Sequence, residues 1–419
     1  MKNLTIVFFL FLCGLTMGQN EGEWKNSAFT FTPEILFGKT MEGNEGFPST
    51  RFQKQIVLSF GRYHTNDPQQ WAQQLKGPKT GISMGVTDFG NLDTLGLAFS
   101  VLPFIEFKVF GNERLTFQTA MGASYSTKKH DPETNPQNNV VTTDLTWAFR
   151  SYFYYMFLRG DNIDWRLGLG YSHHSNGHMR LLNIGFNSFL VSLSADIKNP
   201  LKYPENENAI LPNYNQTVYD YFAFRGGFGQ NVLGVAINDR QNVYTIAGEY
   251  GRVYNNTYKV GIGFYARLYE HYHNYIIDNE SLVQTGREFE YFKDNPLYYA
   301  SNLGISIHGE VFLNHIGIDL QLGYNIYKPA YKLDYRINEG WENTPREIPT
   351  DWVLGDLNFK YKIKHRISSR IGLKYYLIGM ENSPKNNFYL GAHLSANLGQ
   401  ADFSELSFGY VYNFNFRER

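Results

Sequence analysis

Residues Glu405–Phe416 read ELSFGYVYNFNF, with an apolar side chain at every second position. Leu406, Phe408, Tyr410, Tyr412, Phe414 and Phe416 share one face, and Ser407, Gly409, Val411, Asn413 and Asn415 share the other. A period of two is that of a β-strand. A long aromatic face opposite one that is mostly small and polar suits a strand set between lipid and a polar interior. A soluble sandwich also alternates, but its outward face carries more charge and its strands run to about five or six residues. Similar long segments recur at Asn386–Leu398, Arg366–Ile378, Trp352–Ile363, Ile316–Ile326, Tyr298–Val311, Thr257–Tyr269, Asn242–Val253 and Tyr219–Gly229. In the first half they recur at Phe29–Phe37, Gln55–Tyr63, Thr80–Asp88, Leu95–Phe110, Leu115–Ser126, Thr142–Leu158, Asp164–Ser175 and Asn187–Ile197. The expected fold is all-β, an antiparallel transmembrane barrel of the outer-membrane type with about sixteen strands, within a range of roughly 14–18.

The remaining features agree with export and a membrane barrel. The opening MKNLTIVFFLFLCGLTMGQN has a basic start at Lys2, an apolar centre from Leu4 to Leu15 and a small-residue exit at Gly18. It reads as a secretory signal over residues 1–18. Leu12, before Cys13, is too large for a lipoprotein signal, and Cys13 is the only cysteine. The mature chain then offers no disulfide and no thiolate metal ligand. Past the signal, no apolar run approaches the roughly 20 residues of a spanning helix. A formal charge of −1 gives no reason to expect a nucleic-acid partner.

Residues 19–419 read as a single barrel. Lys129–Asn139, Asn199–Asn215 and Lys328–Thr350 are rich in Asn, Pro, Asp and Glu, as loops are, and Asp67–Lys76 can form a short helix. One tension follows. If odd strands run outward, the long segments His64–Pro78 and Asn199–Asn215 do not all fall on the extracellular side, although periplasmic turns are normally short. Either the strand count slips by one, or one of these loops is atypical.

Chemistry concentrates at Gly170–Met179, GYSHHSNGHM. Trp165, Leu167, Leu169 and Tyr171 share the lipid-facing side of the strand leading into it, and continued alternation puts His173 and Ser175 there as well. His174 points inward. On the next candidate strand, Asn187 shares a face with Phe189, Val191, Leu193, Ala195 and Ile197. Three polar groups at a lipid-facing rim are costly unless they pair with one another. Same-face residues on a strand lie about 6.5–7 Å apart, within reach for His173 to act as base toward Ser175. Asn187 can hold the other imidazole nitrogen from the antiparallel neighbour, an amide in the third role of a Ser-His-acid triad. The Asn176 and Gly177 amides, with Asn183, are candidate oxyanion-hole donors. A lipid-facing nucleophile suits an ester within a membrane lipid.

His173-x-Ser175-Asn176-Gly177 followed by Asn183-x-Gly185-x-Asn187 resembles the signature of the lipid A 3-O-deacylase family, whose broader bacterial members are labelled acyloxyacyl hydrolases. Lys79–Ile197 looks like the form found in Bacteroidetes-type bacteria. The resemblance implies an outer-membrane esterase that removes an ester-linked acyl chain from lipid A in the outer leaflet, without metal or other cofactor. It implies His173 as base, Ser175 as nucleophile and Asn187 at the position of the acidic residue. It covers the part from about residue 27 to 198, and the strands over about 216–416 are additional. Family members carry glutamate where this chain has Asn187, and are small eight-stranded barrels. An asparagine third member also resembles outer-membrane phospholipase A, a larger barrel that uses calcium.

Blander readings stand beside these. His173, His174 and His178 could bind zinc or copper, but adjacent strand residues point to opposite faces and no acid or thiolate lies near. His271 and His273, in EHYHNY, share a face and read as interfacial rim residues among tyrosines. Asp196 reads as an interior wall residue rather than a calcium ligand. A non-catalytic, porin-like barrel is the alternative from another class.

Overall fold

The computed structural model describes residues 28–42, 46–65, 67–198, 212–339 and 344–418. The signal expected over residues 1–18 lies outside these, as does most of the Asn199–Asn215 segment. The first eight strands are β1 (Ala28–Thr40), β2 (Gln53–Tyr63), β3 (Lys79–Asp88), β4 (Leu97–Val109), β5 (Asn112–Ser126), β6 (Leu145–Arg159), β7 (Ile163–Ser175) and β8 (Phe186–Lys198). The second eight are β9 (Thr217–Asn231), β10 (Gln241–Tyr254), β11 (Tyr258–Tyr269), β12 (Ser301–Leu313), β13 (Ile316–Tyr327), β14 (Ile367–Tyr376), β15 (Asn386–Asn397) and β16 (Gln400–Glu418). All pair antiparallel with their neighbours.

The expected sixteen strands are present, but the single ring is corrected. β8 pairs with β1, and β16 with β9, so the chain closes two barrels of eight strands each. The interiors explain why. Eight strands leave a bore that side chains can fill, whereas sixteen enclose a water-filled channel. In the first barrel Arg150 bonds Glu34 (2.7 Å) and the Tyr154 hydroxyl (2.7 Å), Arg166 bonds Glu106 (2.8 Å), and Lys79 bonds Asp196 (2.7 Å). In the second, Arg370 bridges Asp319 (2.8 Å) and Glu405 (3.0 Å), while Lys374 bridges Asp319 (2.8 Å) and Glu310 (2.9 Å). Such charges are tolerated away from water because they are paired and hydrogen-bonded. These networks line both interiors. Asp196 is an interior wall residue, held by Lys79, Thr32 and Tyr63.

Outside, both barrels present the alternating apolar band that a bilayer requires: Leu167 and Leu169 on β7, Phe222 and Phe224 on β9, Ile305 and Ile307 on β12 are all exposed. Both barrels carry their longer loops at one end. Over the second barrel these loops build a cap from α2 (Glu270–Ile277), α3 (Pro296–Tyr299), α4 (Tyr331–Asn338) and α5 (Phe359–Arg366). Tyr272, Ile276, Leu282, Phe289, Leu333 and Ile337 are buried together at its centre.

The segment after β2 resolves the tension over loop lengths. The strand count holds, and the loop is atypical. It contains the expected short helix, α1 (Gln70–Gln74), which docks on the second barrel. The Gln70 amide donates to Glu381 (3.0 Å), Asn256 donates to the Gln70 side chain (3.0 Å), and the Tyr258 hydroxyl donates to the Gln74 carbonyl (3.3 Å). The other long segment joins the end of β8 to the start of β9. At the opposite end, Trp147 of β6 donates its indole N–H to Ser404 of β16 (2.8 Å). The two barrels therefore stand side by side, the same way up.

Two segments depart from the alternation. Trp352–Ile363 is not a strand. Its second part enters α5, where Asn358 caps the helix by accepting from the Tyr361 N–H (3.2 Å). As a strand it would turn Lys360, Lys362 and Lys364 together toward a narrow interior. EHYHNY is helical (α2), so His271 and His273 do not share a strand face. His271 is buried, with Nδ1 against Asn231 (2.7 Å).

Candidate functional site

β7 carries the motif to the long-loop end of the first barrel. Asp164, Arg166 and Ser172 are buried inside, while Trp165, Leu167 and Leu169 face outward, Leu169 being 63% exposed. Tyr171, His173 and Ser175 continue the outward row. On β8, Phe189 and Val191 face outward, and Asn187 is next in their row. The register places His173 directly opposite Asn187.

Asn187 Oδ1 lies 2.8 Å from His173 Nδ1 and accepts from the Tyr171 hydroxyl at 2.5 Å. An amide oxygen can only accept, so this pairing places the imidazole proton on Nδ1 and leaves the Nε2 lone pair available. Tyr171 was visible in the sequence only as part of the apolar row. Its hydroxyl donates to the same Asn187 oxygen that faces His173, and the signal for it was the shared face of residues 171, 173 and 175.

Ser175 is 6% exposed. Its Oγ accepts from the Gly177 N–H (3.2 Å) and from Asn183 Nδ2 (3.0 Å). Among the described residues no hydrogen bond joins it to His173 in this resting arrangement, and its own hydroxyl proton has no acceptor. Gly185 packs beside both residues and against the His174 carbonyl oxygen, which a Cβ would approach to 2.8 Å. A Cβ there would lie 3.5 Å from Ser175 Cβ and 3.6 Å from His173 Cε1, and the residue has φ +71°, which favours glycine.

The three residues expected as oxyanion donors gather around Ser175 with divided tasks. The Gly177 amide and the Asn183 side chain point at it. The Asn176 amide is taken up by Asn183 Oδ1 (3.2 Å), so it aims Asn183 instead. The Asn176 side chain is buried and donates to Thr142 (3.0 Å) and to the Arg180 carbonyl (2.6 Å), pinning the loop. Thr142 and Trp147 are contributors that the alternation did not reveal. Trp147 pairs with Ser175 across β6 and β7 and also bonds the second barrel. Beside it, a Cβ at Gly177 would lie 2.5 Å from Ser404 Oγ and 2.9 Å from Leu394 Cδ1. Ser175 sits at the seam of the two barrels.

The histidines part company, as alternation requires. His174 turns inward against the ring edges of Phe89 (5.4 Å) and Phe186 (6.2 Å). His178 lies in the loop at φ 68°.

No curated protein matches the chain. Solved structures give two representative likenesses. An outer membrane channel from Pseudomonas putida aligns at 9% identity, covering 94% of this chain and 100% of that one with a TM-score of 0.17. OccAB3 from Acinetobacter baumannii aligns at 10% identity, covering 94% and 100%, with a TM-score of 0.21. Scores this low fall short of a shared fold, so the two-barrel architecture rests on the strand pairing itself. Residues 55–196 match a family of lipid A 3-O-deacylases (PagL). This similarity lies wholly within the first barrel, spans less than half of the chain and includes His173, Ser175 and Asn187.

Proposed function

We propose that the chain is an outer-membrane serine esterase that removes an ester-linked acyl chain from lipid A, with His173 as base, Ser175 as nucleophile and Asn187 as the residue that orients the imidazole. The observation that carries this reading is the outward row of His173 and Ser175 with Asn187 opposite, on a wall otherwise built for lipid. The substrate's acyl chains can stay in the bilayer against Leu167, Leu169 and Val191. The ester then meets Ser175 where the strand enters its loop. The match of residues 55–196 supports the same substrate class.

In the first step His173 Nε2 takes the Ser175 hydroxyl proton as Oγ attacks the ester carbonyl. The carbonyl oxygen becomes an oxyanion, stabilised by the Gly177 amide and Asn183 Nδ2, which is held in place by Asn176. The imidazolium returns its proton to the departing sugar hydroxyl, leaving an acyl-serine. Water, deprotonated by the same Nε2, releases the fatty acid and restores Ser175. Asn187 holds the ring through Nδ1 but brings no negative charge to the imidazolium. Turnover is therefore expected to be slower than with a carboxylate there.

A second reading is kept by Asn187, since an asparagine third member resembles outer-membrane phospholipase A. The discriminating experiment incubates the purified protein and its Ser175→Ala variant with lipid A and with phospholipid, in calcium or chelator, and reads products by mass spectrometry. Loss of one ester-linked chain from lipid A with wild type alone is the expected result. Identical lipid profiles for wild type and variant would defeat the esterase reading. Phospholipid cleavage that chelator abolishes would move the assignment to the phospholipase.

A further inference from the structure

The loop from residue 176 to 185 holds the oxyanion donors, yet one of its firmest external ties comes from the second barrel. Asn238, between β9 and β10, accepts from the Leu181 N–H (2.9 Å) and donates to the Leu181 carbonyl (2.5 Å). One side-chain amide thus takes both backbone groups of a single residue, which fixes position and plane together. Leu181 is two residues from Asn183, whose side chain points at Ser175 Oγ.

Asn238 is itself held from beneath. Gly234 and Ile237 exchange backbone hydrogen bonds (3.3 and 3.1 Å), forming a tight turn. Leu233 is fully buried in the cap with Leu333 and Ile337, and Ile237 packs against the same cluster. Asn338 of α4 donates to the Leu233 carbonyl (2.7 Å). A continuous path runs from the cap through residues 233–238 to Leu181, Asn183 and Ser175. The Trp147–Ser404 bond fixes the base of the same loop.

We propose that the second barrel is the scaffold that holds the oxyanion loop of the first, with Asn238 as its positioning residue. This rests on the serine-esterase reading. An eight-stranded barrel cut off after β8 would keep His173, Ser175 and Asn187 but lose the two-point hold on Leu181.

The test uses the full chain and Asn238→Ala in lipid A mixed micelles, with steady-state kinetics and the rate at which a fluorophosphonate labels Ser175. A loosened oxyanion loop lowers kcat by about 10–100-fold and the labelling rate in parallel, with KM changed by less than about two-fold. Amide exchange at Leu181 accelerates, while gel mobility and unfolding of the barrels stay as in wild type. Wild-type kcat and labelling in Asn238→Ala would overturn the proposal. Should the wild-type chain show neither Ser175-dependent hydrolysis nor labelling, the esterase reading fails on its own. Leu181 exchange then decides the clamp: acceleration in Asn238→Ala supports it, and unchanged exchange overturns it.

Discussion

The two barrels share strand number, antiparallel neighbour-to-neighbour pairing and a charged interior, and differ at their rims. On the first, an aromatic and aliphatic outer row gives way to Tyr171, His173 and Ser175, with Asn187 alongside. On the second, β9 presents Phe222, Phe224 and Phe228, and β13 presents Leu320, Leu322 and Tyr324, while the investment goes into a helical cap. The barrel wall is generic, and the proposed chemistry lies where polar groups replace apolar ones on the outward side. The second barrel supplies none of those groups, but its cap and β16 border them.

The sharpest way to break this contrast is to remove an outward serine from each barrel. Ser175→Ala should lower lipid A deacylation by at least about 10³-fold, since nucleophile and base act as a unit. Ser369→Ala, on the outward row of β14, should leave it unchanged by the same mass-spectrometric assay. Equal losses would mean that the polar rim is not special.

Next comes the independence of the two closed rings. Arg150 is buried and is the charge partner of Glu34, so removing it leaves a carboxylate uncompensated at a cost of about 3–5 kcal/mol, whereas removing Arg370 takes one of two cations from Asp319 and from Glu405, which keep Lys374 and Arg225. Denaturant unfolding should show Arg150→Ala weakening the first barrel and Arg370→Ala the second. A single transition that moves equally in both variants would show that the rings melt as one body.

Within the first barrel, Asn187→Ala should cost about 10–100-fold in kcat because His173 loses the acceptor that fixes its tautomer. Asn187→Asp should keep or raise turnover near neutral pH, because a carboxylate accepts the same two hydrogen bonds and adds charge. A folded but inactive Asn187→Asp enzyme would count against the orienting role.

The smallest effect concerns the docking loop. Burial pushes the Asp67 carboxyl pKa up, but hydrogen bonds from His64 and the Gln69 N–H, together with the charge of Arg62, outweigh it and the net direction is down. A group depressed in the folded state stabilises it above its unfolded pKa and loses that contribution as pH falls through the folded value. Asp67→Asn should therefore speed proteolysis within residues 64–78 several-fold at pH 7. The difference from wild type should begin to shrink as pH falls below the ordinary value of 3.8 and vanish only below the depressed folded value. A difference that persists in strong acid would assign the effect to shape instead of charge.

Much of this architecture was legible because a strand's period of two is written directly into residue order. The segments of the first half fall on β1 to β8, and the outward facing of His173, Ser175 and Asn187 follows from the same counting. Closure was not legible. Alternation says which face is apolar, but nothing in β8 states whether its free edge meets β1 or β9. Trp352–Ile363 misled because F-K-Y-K-I-K alternates perfectly well while being helical, and only the Asn358 cap and the crowding of three lysines argue otherwise. The roles of Trp147, Asn238 and Ser404 depend on how two finished barrels dock, and no local pattern encodes that.

Closure in two rings also changes how the chain can be threaded into a bilayer. The pairs that close the rings join Thr30 to Lys198 and Thr217 to Glu418, whereas one large ring would have had to join the two extremes of the chain. Shorter sequence separation lowers the entropy lost on closure and favours faster assembly. The first barrel can complete its hydrogen-bond ladder before the second half has inserted. Closure in two rings allows insertion in two smaller events, with the neighbours of Ser175 across the seam supplied by the second.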